Sequence, residues 1–487
     1  MGKIGILTVL LYCCSVTLFS QQEYDFRQVD SITYNAYLTA DWDKVLSTGK
    51  KAVKGGIDYY YLRQRMGIAY FSKQNYRAAS RQFEAAAKHD PGNEITQNLL
   101  YYSLLNSGQF PEAFYTTGSL NENMRKLSNI PKPGFVTSLD LETGPEFSNN
   151  FDENALGKLP SGQDLQYQDL YGNSYYSNLG IAFQLLPRVS LYAAYSNVII
   201  EKKTMMQYAL NRPDSIVEQE WGFSKYFPAR PKIESSEYQY RLCQNSAYLR
   251  SNIYLGNGWS IVPSAHYTQF NTKKVVVQDH SKIVQDTAYY IASIDSVSYF
   301  QYYDVDLQLA AEDFSDDLFV IFLGFSKRVL YFDLGVFGSW SNLYGRSQYQ
   351  YGINLGYYPL GNLRFYGNTN IKGFTEENDT RFIFSQLVAG RLTGFLWAEA
   401  FGTFGNLKGT NESDAFLVYN ITDDIDLKTG LNLIFVLSPA VKLSLTYQYL
   451  QKTGFRYTYG PGNKTGEKIQ EVEYINQSII GGLKWTF

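Results

Sequence analysis

The chain has 487 residues, a formal net charge of -3, 43 tyrosines and 31 phenylalanines. So small a charge spread over so long a chain excludes a nucleic-acid partner. Three histidines and three cysteines, at no metal-ligand spacing, give no reason to expect a cofactor or a multi-cysteine metal site. Past the first twenty residues no run is long and apolar enough for a membrane helix, while the aromatic content is high. That combination points to an all-β surface or membrane protein.

Residues 1–20 read as an export signal. Lys3 supplies the positive start, Ile4 to Phe19 an uncharged apolar core, and Ser20 a small residue before Gln21-Gln22. The apolar run falls short of the roughly 20 residues a spanning helix needs, which favours cleavage. Cys13 and Cys14 follow Leu11 and Tyr12 rather than the small residues of a lipid-attachment site. Cleavage leaves Cys243 as the one remaining cysteine, so no intramolecular disulfide is expected.

Residues 21–128 have helical character. From Tyr60 to Asn93, Gly67, Tyr70, Ala79, Phe83, Ala86 and Pro91 fall at the offsets of a tetratricopeptide repeat, a 34-residue helix-turn-helix unit. Small residues let the two helices approach, aromatics fill the space between them, and the proline ends the second helix. Weaker copies flank this one. Ala40-Asp41-Trp42 and Ala52 suit an upstream repeat; downstream, Leu100, Gly108 and Ala113 keep register but Tyr101 stands where the packing glycine belongs. About three repeats are expected, since about that many make a stable stack. They read either as a groove for a periplasmic protein or as a helical spacer. Asn129-Ile130-Pro131-Lys132-Pro133-Gly134 makes a stiff linker over 129–134.

Residues 135–487 alternate in polarity. Val441, Leu443, Leu445, Tyr447 and Tyr449 oppose Lys442, Ser444, Thr446 and Gln448, the pattern of a strand between two solvents. Tight turns at Leu186–Arg188, Gly256–Gly258, Ser326–Arg328, Pro359–Gly361, Arg391–Thr393 and Ser438–Ala440 alternate with long polar links at 148–173, 211–235, 278–296 and 460–473. Shorter links at 375–380 and 406–414, and another near Asn342, belong with the long ones. Short periplasmic turns and longer outer links are the mark of an outer-membrane barrel. Six tight turns and two chain ends give about 14 antiparallel strands. Breaks at Ser315-Asp316-Asp317 and Thr422-Asp423-Asp424 would make 16. The fold expected is thus mainly β, a transmembrane barrel after a small helical repeat domain, with the repeats in the periplasm and outer-membrane lipid around the barrel.

Charges on the polar side of the strands are assigned to the lumen: Asp140, Glu142, Arg188, Arg364, Lys372, Glu399, Lys442 and Lys484. A basic residue facing lipid at the midplane would cost about 2–4 kcal/mol. Both signs occur, which suits a salt-bridged lumen better than a selective ion pore. Ser264 and His266 share one strand face, a spacing that would matter in a barrel hydrolase using His266. No acidic partner accompanies them, so the expectation is a hydrogen-bonded lumen histidine and no enzyme. Gly460–Gly466 lacks the spacing and strand-loop-helix context of a phosphate loop.

The last strand ends in Gly482, Trp485 and Phe487, and resembles the signal read by the barrel-insertion machinery; Ile480 departs from it where a polar residue is usual. Tyr357–Asn362, Phe401–Asn406 and Tyr447–Tyr449 resemble YaiO-type outer-membrane barrels. Repeats before a barrel are also similar to exopolysaccharide exporters, although those carry longer arrays. The resemblance implies a barrel supporting export or assembly of a polysaccharide or other surface polymer; a scaffold with a plugged lumen is the other reading. It transfers no functional residue.

Overall fold

The computed structural model describes residues 25–487 apart from 119, 121, 128–129, 131–133, 211–218, 221–222, 225–231, 292–295, 378 and 461–467. The export signal over 1–20, most of the 129–134 linker and the middles of three long links lie outside the described residues. The chain divides near residue 131 into two compact units.

The first unit contains three helical hairpins: α1 (Phe26–Leu38) with α2 (Trp42–Lys54), α3 (Tyr60–Ser72) with α4 (Tyr76–His89), and α5 (Glu94–Asn106) with α6 (Phe110–Thr117), followed by α7 (Glu122–Leu127). First helices begin at 26, 60 and 94 and second helices at 42, 76 and 110, so the hairpin recurs every 34 residues. Polar caps start the helices. Asp41 accepts from the Lys44 amide at 3.1 Å, Asn75 from Ala78 at 3.2 Å and Asn93 from Thr96 at 3.1 Å. Gly67 is required by close approach, because a Cβ there would sit 2.5 Å from the Phe83 ring. Ala79 and Ala86 are buried, Tyr70 packs against the core, and Pro91 follows the end of α4. Tyr101, which stands where the packing glycine belongs, leaves the third hairpin in place. It is buried in the cluster of Ala79, Phe83, Leu100, Leu104 and Ala113, where α5 closes on α4.

An ion pair clips the start of α3. Arg63 donates to both Asp58 carboxylate oxygens, at 2.7 and 2.6 Å. The Arg63 hydrogen bonds hold the Asp58 carboxyl below its ordinary value of 3.8, against the opposing effect of burial. A carboxyl lowered on folding stabilises fully above its unfolded pKa, and that contribution fades as pH falls through the folded value. Asp58→Asn should therefore lower helix stability at neutral pH by a small amount, since the carboxylate is well exposed. Its difference from the parent should vanish in acid. Circular dichroism melts across pH check this.

The second unit is a closed antiparallel barrel of 14 strands. They are β1 (Val136–Ser148), β2 (Leu165–Leu186), β3 (Val189–Leu210), β4 (Lys232–Gly256), β5 (Trp259–Asp279), β6 (Leu307–Val329), β7 (Phe332–Ser341), β8 (Gln348–Tyr357), β9 (Phe365–Glu376), β10 (Asp379–Arg391), β11 (Leu396–Phe404), β12 (Asp424–Val436), β13 (Val441–Tyr459) and β14 (Lys468–Thr486). The ring closes where β1 pairs with β14, Leu139 opposite Trp485 and Asp140 opposite Lys484. A Cβ at Gly144 would overlap the Ile479 carbonyl, so glycine is needed at this seam beside Pro145.

Fourteen strands, not sixteen, follow from two observations. β6 runs unbroken through Ser315-Asp316-Asp317, paired with β5 from Leu307 to Lys327. Its following turn is Leu330-Tyr331, a few residues after the expected Ser326–Arg328. Thr422-Asp423-Asp424 is the entry to β12 rather than a break inside a strand pair. Lys282–Ile291 and Ser296–Asp304 pair as a separate two-stranded ribbon, which lengthens that outer link beyond its expected end.

Spanning the hydrocarbon takes about 9–11 residues per strand. Strands β7 to β12 have 9 to 13 residues, whereas β2 to β6 have 21 to 25. The long strands therefore project past the membrane on the long-link side. There β2 also pairs with β13, Tyr167 opposite Tyr457, although the two are not neighbours in the ring. The outward face is apolar and exposed, as at Leu141, Ile321, Ile353, Ile371, Leu445 and Ile479. Trp259, Phe332, Phe365 and Trp485 sit exposed near the short-turn ends, in the place of an aromatic girdle. Ile353→Arg should cost about 2–4 kcal/mol if its level is the midplane. Urea unfolding of the barrel in lipid vesicles measures it.

Candidate functional site

Residues 405–423, which join β11 to β12, fold into the barrel instead of outward as the expected 406–414 outer link. They carry a two-residue ladder, Asn411 and Glu412 opposite Val418 and Leu417. Its tip is unusual. Ser413, Asp414 and Ala415 have φ of 53°, 58° and 68°, three successive non-glycine residues in the left-handed region. Such residues cost roughly 1–2 kcal/mol each, so surrounding contacts must hold them.

Strands β4 and β5 supply the holding groups. Tyr248 donates to the Asp414 carbonyl at 2.9 Å, and the Ser264 hydroxyl donates to the same oxygen. Arg250 Nε meets the Asp414 carboxylate at 2.9 Å. His266 Nδ1 lies 2.9 Å from the Ala415 carbonyl, and a carbonyl only accepts, so this nitrogen carries the proton. In the neutral ring Nε2 then accepts from Thr268 at 2.9 Å. Both ring nitrogens are thus engaged by groups other than Ser264, and the Ser264 hydroxyl points at the plug. The geometry is not that of a nucleophile and its base.

Further anchors come from other strands. Gln350 and Asn411 bond twice, Nε2 to carbonyl at 2.9 Å and amide to Oε1 at 3.1 Å, while Asn411 Nδ2 donates to Ser339 at 2.9 Å. Tyr344 donates to the Ile421 carbonyl at 2.6 Å and Tyr474 to Asp423 at 2.8 Å. Ala415 and Val418 pack on Val320, Phe322 and Phe337.

One buried ion cluster ties the segment to the opposite wall. Glu412 lies 2.7 Å from Lys428 and 3.5 Å from Lys372, with side-chain exposures of only 11%, 8% and 4%. Tyr419 donates to Glu412 at 2.7 Å and accepts from Lys428 at 2.8 Å. Each charge therefore has both a counter-charge and a hydrogen bond, which burial demands.

The charged residues assigned to the lumen divide into two groups. Lys372 belongs to the cluster just described. Glu399 accepts from Tyr366 and, at 3.0 Å, from Asn432. Asp140 pairs with Lys484 at 2.9 Å, Glu142 accepts from Tyr176 at 3.2 Å, and Lys442 stands beside Lys484 across the strand pair. Arg188 and Arg364 lie exposed in the turns before β3 and β9, at the rim rather than inside the wall, with their carbonyls bonded to the amides of Tyr254 and Arg391. Trp485 and Phe487 stack at 6.3 Å beside the seam, near Gly482.

Arg250 and Lys428 were not singled out, although both sit on the polar phase of their strands and that signal was available. Glu412 and Asp414 gave none, because a link has no period to show which way it folds.

Beside the inward segment is a cavity of about 830 Å³, lined by Glu142, Asn354, Asn368, Glu399, Asn432 and Lys452 among others. Its wall carries a hydrogen-bonded belt. Asn368 donates to Asn354 at 2.7 Å, and Thr446, Asn432 and Glu399 connect in series, with Thr446 to Asn432 at 3.1 Å.

A closed ring, an apolar outer band and a charged, hydrogen-bonding interior define an outer-membrane-type β-barrel. Comparison with solved structures finds outer-membrane barrels at low similarity. A Pseudomonas aeruginosa FadL homologue is 11% identical, covering 72% of this chain and 90% of its own, with a TM-score of 0.38. A TodX variant described as a monoaromatic hydrocarbon channel is 9% identical over 72% and 90%, at 0.35. Omp33 of Acinetobacter baumannii is 8% identical over 73% and 100%, at 0.28. No protein-family profile and no curated protein sequence matches the chain.

Proposed function

We propose that this protein is a non-enzymatic outer-membrane barrel supporting passage or assembly of a hydrophilic surface polymer, a polysaccharide in the first instance. The observation that carries this reading is the lumen belt of Asn354, Asn368, Tyr366, Glu399, Asn432 and Thr446. Amides, hydroxyls and a carboxylate bonded to one another still keep further donor and acceptor positions, which suit a hydroxyl-rich solute. Strand β1 enters and β14 leaves at the short-turn end, which faces the periplasm in such barrels. That supports a periplasmic position for the tetratricopeptide-type hairpins. Tyr34, Tyr61 and Ile95 are exposed on α1, α3 and α5 and offer a surface to a periplasmic protein.

Planar-bilayer recording tests the reading. Stepwise conductance is expected, reduced by an added neutral oligosaccharide. Zero conductance under all voltages, unchanged when residues 30–120 are deleted, would count against it. A second reading, an assembly scaffold with a plugged lumen, is favoured by the inward segment. It calls for a periplasmic protein that co-purifies with the full chain and is lost on Tyr61→Ala, with no conductance at all.

A further inference from the structure

We propose that residues 405–423 form a displaceable plug that gates the lumen, hinged at Gly405 and caught at its tip by Tyr248, Arg250, Ser264 and His266. The purpose of such a gate rests on the channel reading above, but its mechanics rest on the segment itself.

Closure of the barrel does not need this segment. β11 and β12 pair directly from Leu396–Phe435 to Phe404–Leu427, so the sheet is complete without it. The segment's short ladder is internal and forms its own two-stranded sheet, separate from the wall. Moving it keeps the direct β11–β12 pairing and breaks, beside the hinge, the bond from the Leu407 amide to the Ile425 carbonyl. It is held by side-chain hydrogen bonds and ion pairs on the inner wall, groups that water in the lumen would satisfy once the segment leaves. Apolar contacts of Leu407, Ala415, Val418 and Ile421 also hold it, and their exposure is the cost of opening.

The tip stores strain that favours release. The four catch residues engage the Asp414 and Ala415 carbonyls and the Asp414 carboxylate, while the Ser413 carbonyl accepts from the Phe416 amide within the tip. The catch thus supplies the outside contacts that hold the left-handed run of Ser413, Asp414 and Ala415. Freed from the catch, all three can return to ordinary backbone angles. The hinge is also identifiable. Gly405 has φ of 106°, and a Cβ there would lie 2.7 Å from the Phe382 carbonyl, so this pivot admits no side chain. Ser264 and His266, which do not form a catalytic pair, thus acquire a role as parts of the catch.

The test uses the full chain in planar bilayers, with two variants checked for folding by heat-modifiable gel mobility. In the first, Asn411→Cys and Ser339→Cys are combined with Cys243→Ser; these side chains touch at 2.9 Å, so oxidation tethers the plug. In the second, residues 406–422 are replaced by a short Gly-Ser linker. Expected results are intermittent opening of the parent, continuous conductance of the linker variant, and at least a tenfold lower open probability of the oxidised pair, reversed by reduction. Unchanged opening after oxidation overturns the gate and leaves the channel reading standing. So does failure of the pair to oxidise, which would show the segment is not seated there. A linker variant that conducts while the parent never opens means a static plug and supports the scaffold. If the folded linker variant does not conduct, both gate and channel fail.

Discussion

Glu412→Ala is expected to free the inward segment from the wall. The substitution leaves Lys372 and Lys428 buried without their carboxylate, at exposures of 4% and 8%. Removing one member of a buried ion cluster costs about 3–5 kcal/mol, chiefly through the charges left behind. Tyr419 loses its acceptor as well. The readout should be local, because the barrel ring closes without this segment. Hydrogen exchange at the amides of Gly409, Asn411 and Tyr419, which bond to Tyr419, Gln350 and Thr410, should accelerate by roughly 10²–10⁴-fold. Amides in the pairing of β2 with β3 should not change. Replacing Glu412, Lys372 and Lys428 together by methionine removes the stranded charges and should recover most of the protection, since well-packed apolar groups often substitute for a buried cluster at little net cost. Equal exchange in the alanine variant and the parent would show that the cluster does not hold the segment.

Phe83→Ala should have the largest effect in the helical unit, about 3–5 kcal/mol. Phe83 is fully buried, faces the Gly67 surface of α3, and joins the second hairpin to Leu100 and Leu104 of the third. Loss of the ring removes both its transfer free energy and the packing between neighbouring hairpins. In a stacked array each hairpin is stabilised by the next, so a defect in the middle uncouples both sides. Helical circular dichroism of the full chain in detergent should lose its first unfolding transition at moderate urea, with the β signal unaffected. A variant that melts with the parent would show that Gly67 and Phe83 do not form the hairpin's core.

These two substitutions fall on opposite sides of what could be read without coordinates. Gly67 and Phe83 were legible because a repeat imposes fixed offsets and each offset has a steric reason. The strand number was legible too, since short and long connections alternate and an open edge in lipid is forbidden. Asp140, Glu142, Lys372, Glu399, Lys442 and Lys484 were placed by phase alone, and in the structure Asp140 pairs with Lys484 and Lys372 with Glu412. Arg188 and Arg364 stand in the turns just before their strands, where phase no longer says whether a side chain meets the lumen.

Local periodicity by itself determined that this chain builds helical hairpins and a closed two-solvent sheet, because both depend on spacings of two to thirty-four residues. Only the tertiary structure decided that the β11–β12 link turns inward to occupy the lumen. Its Glu412 meets Lys372 from β9 as well as Lys428 of the strand that follows, and its tip meets four side chains more than a hundred residues earlier. Such contacts exist only once the ring has closed, and an aperiodic link carries no signal of them.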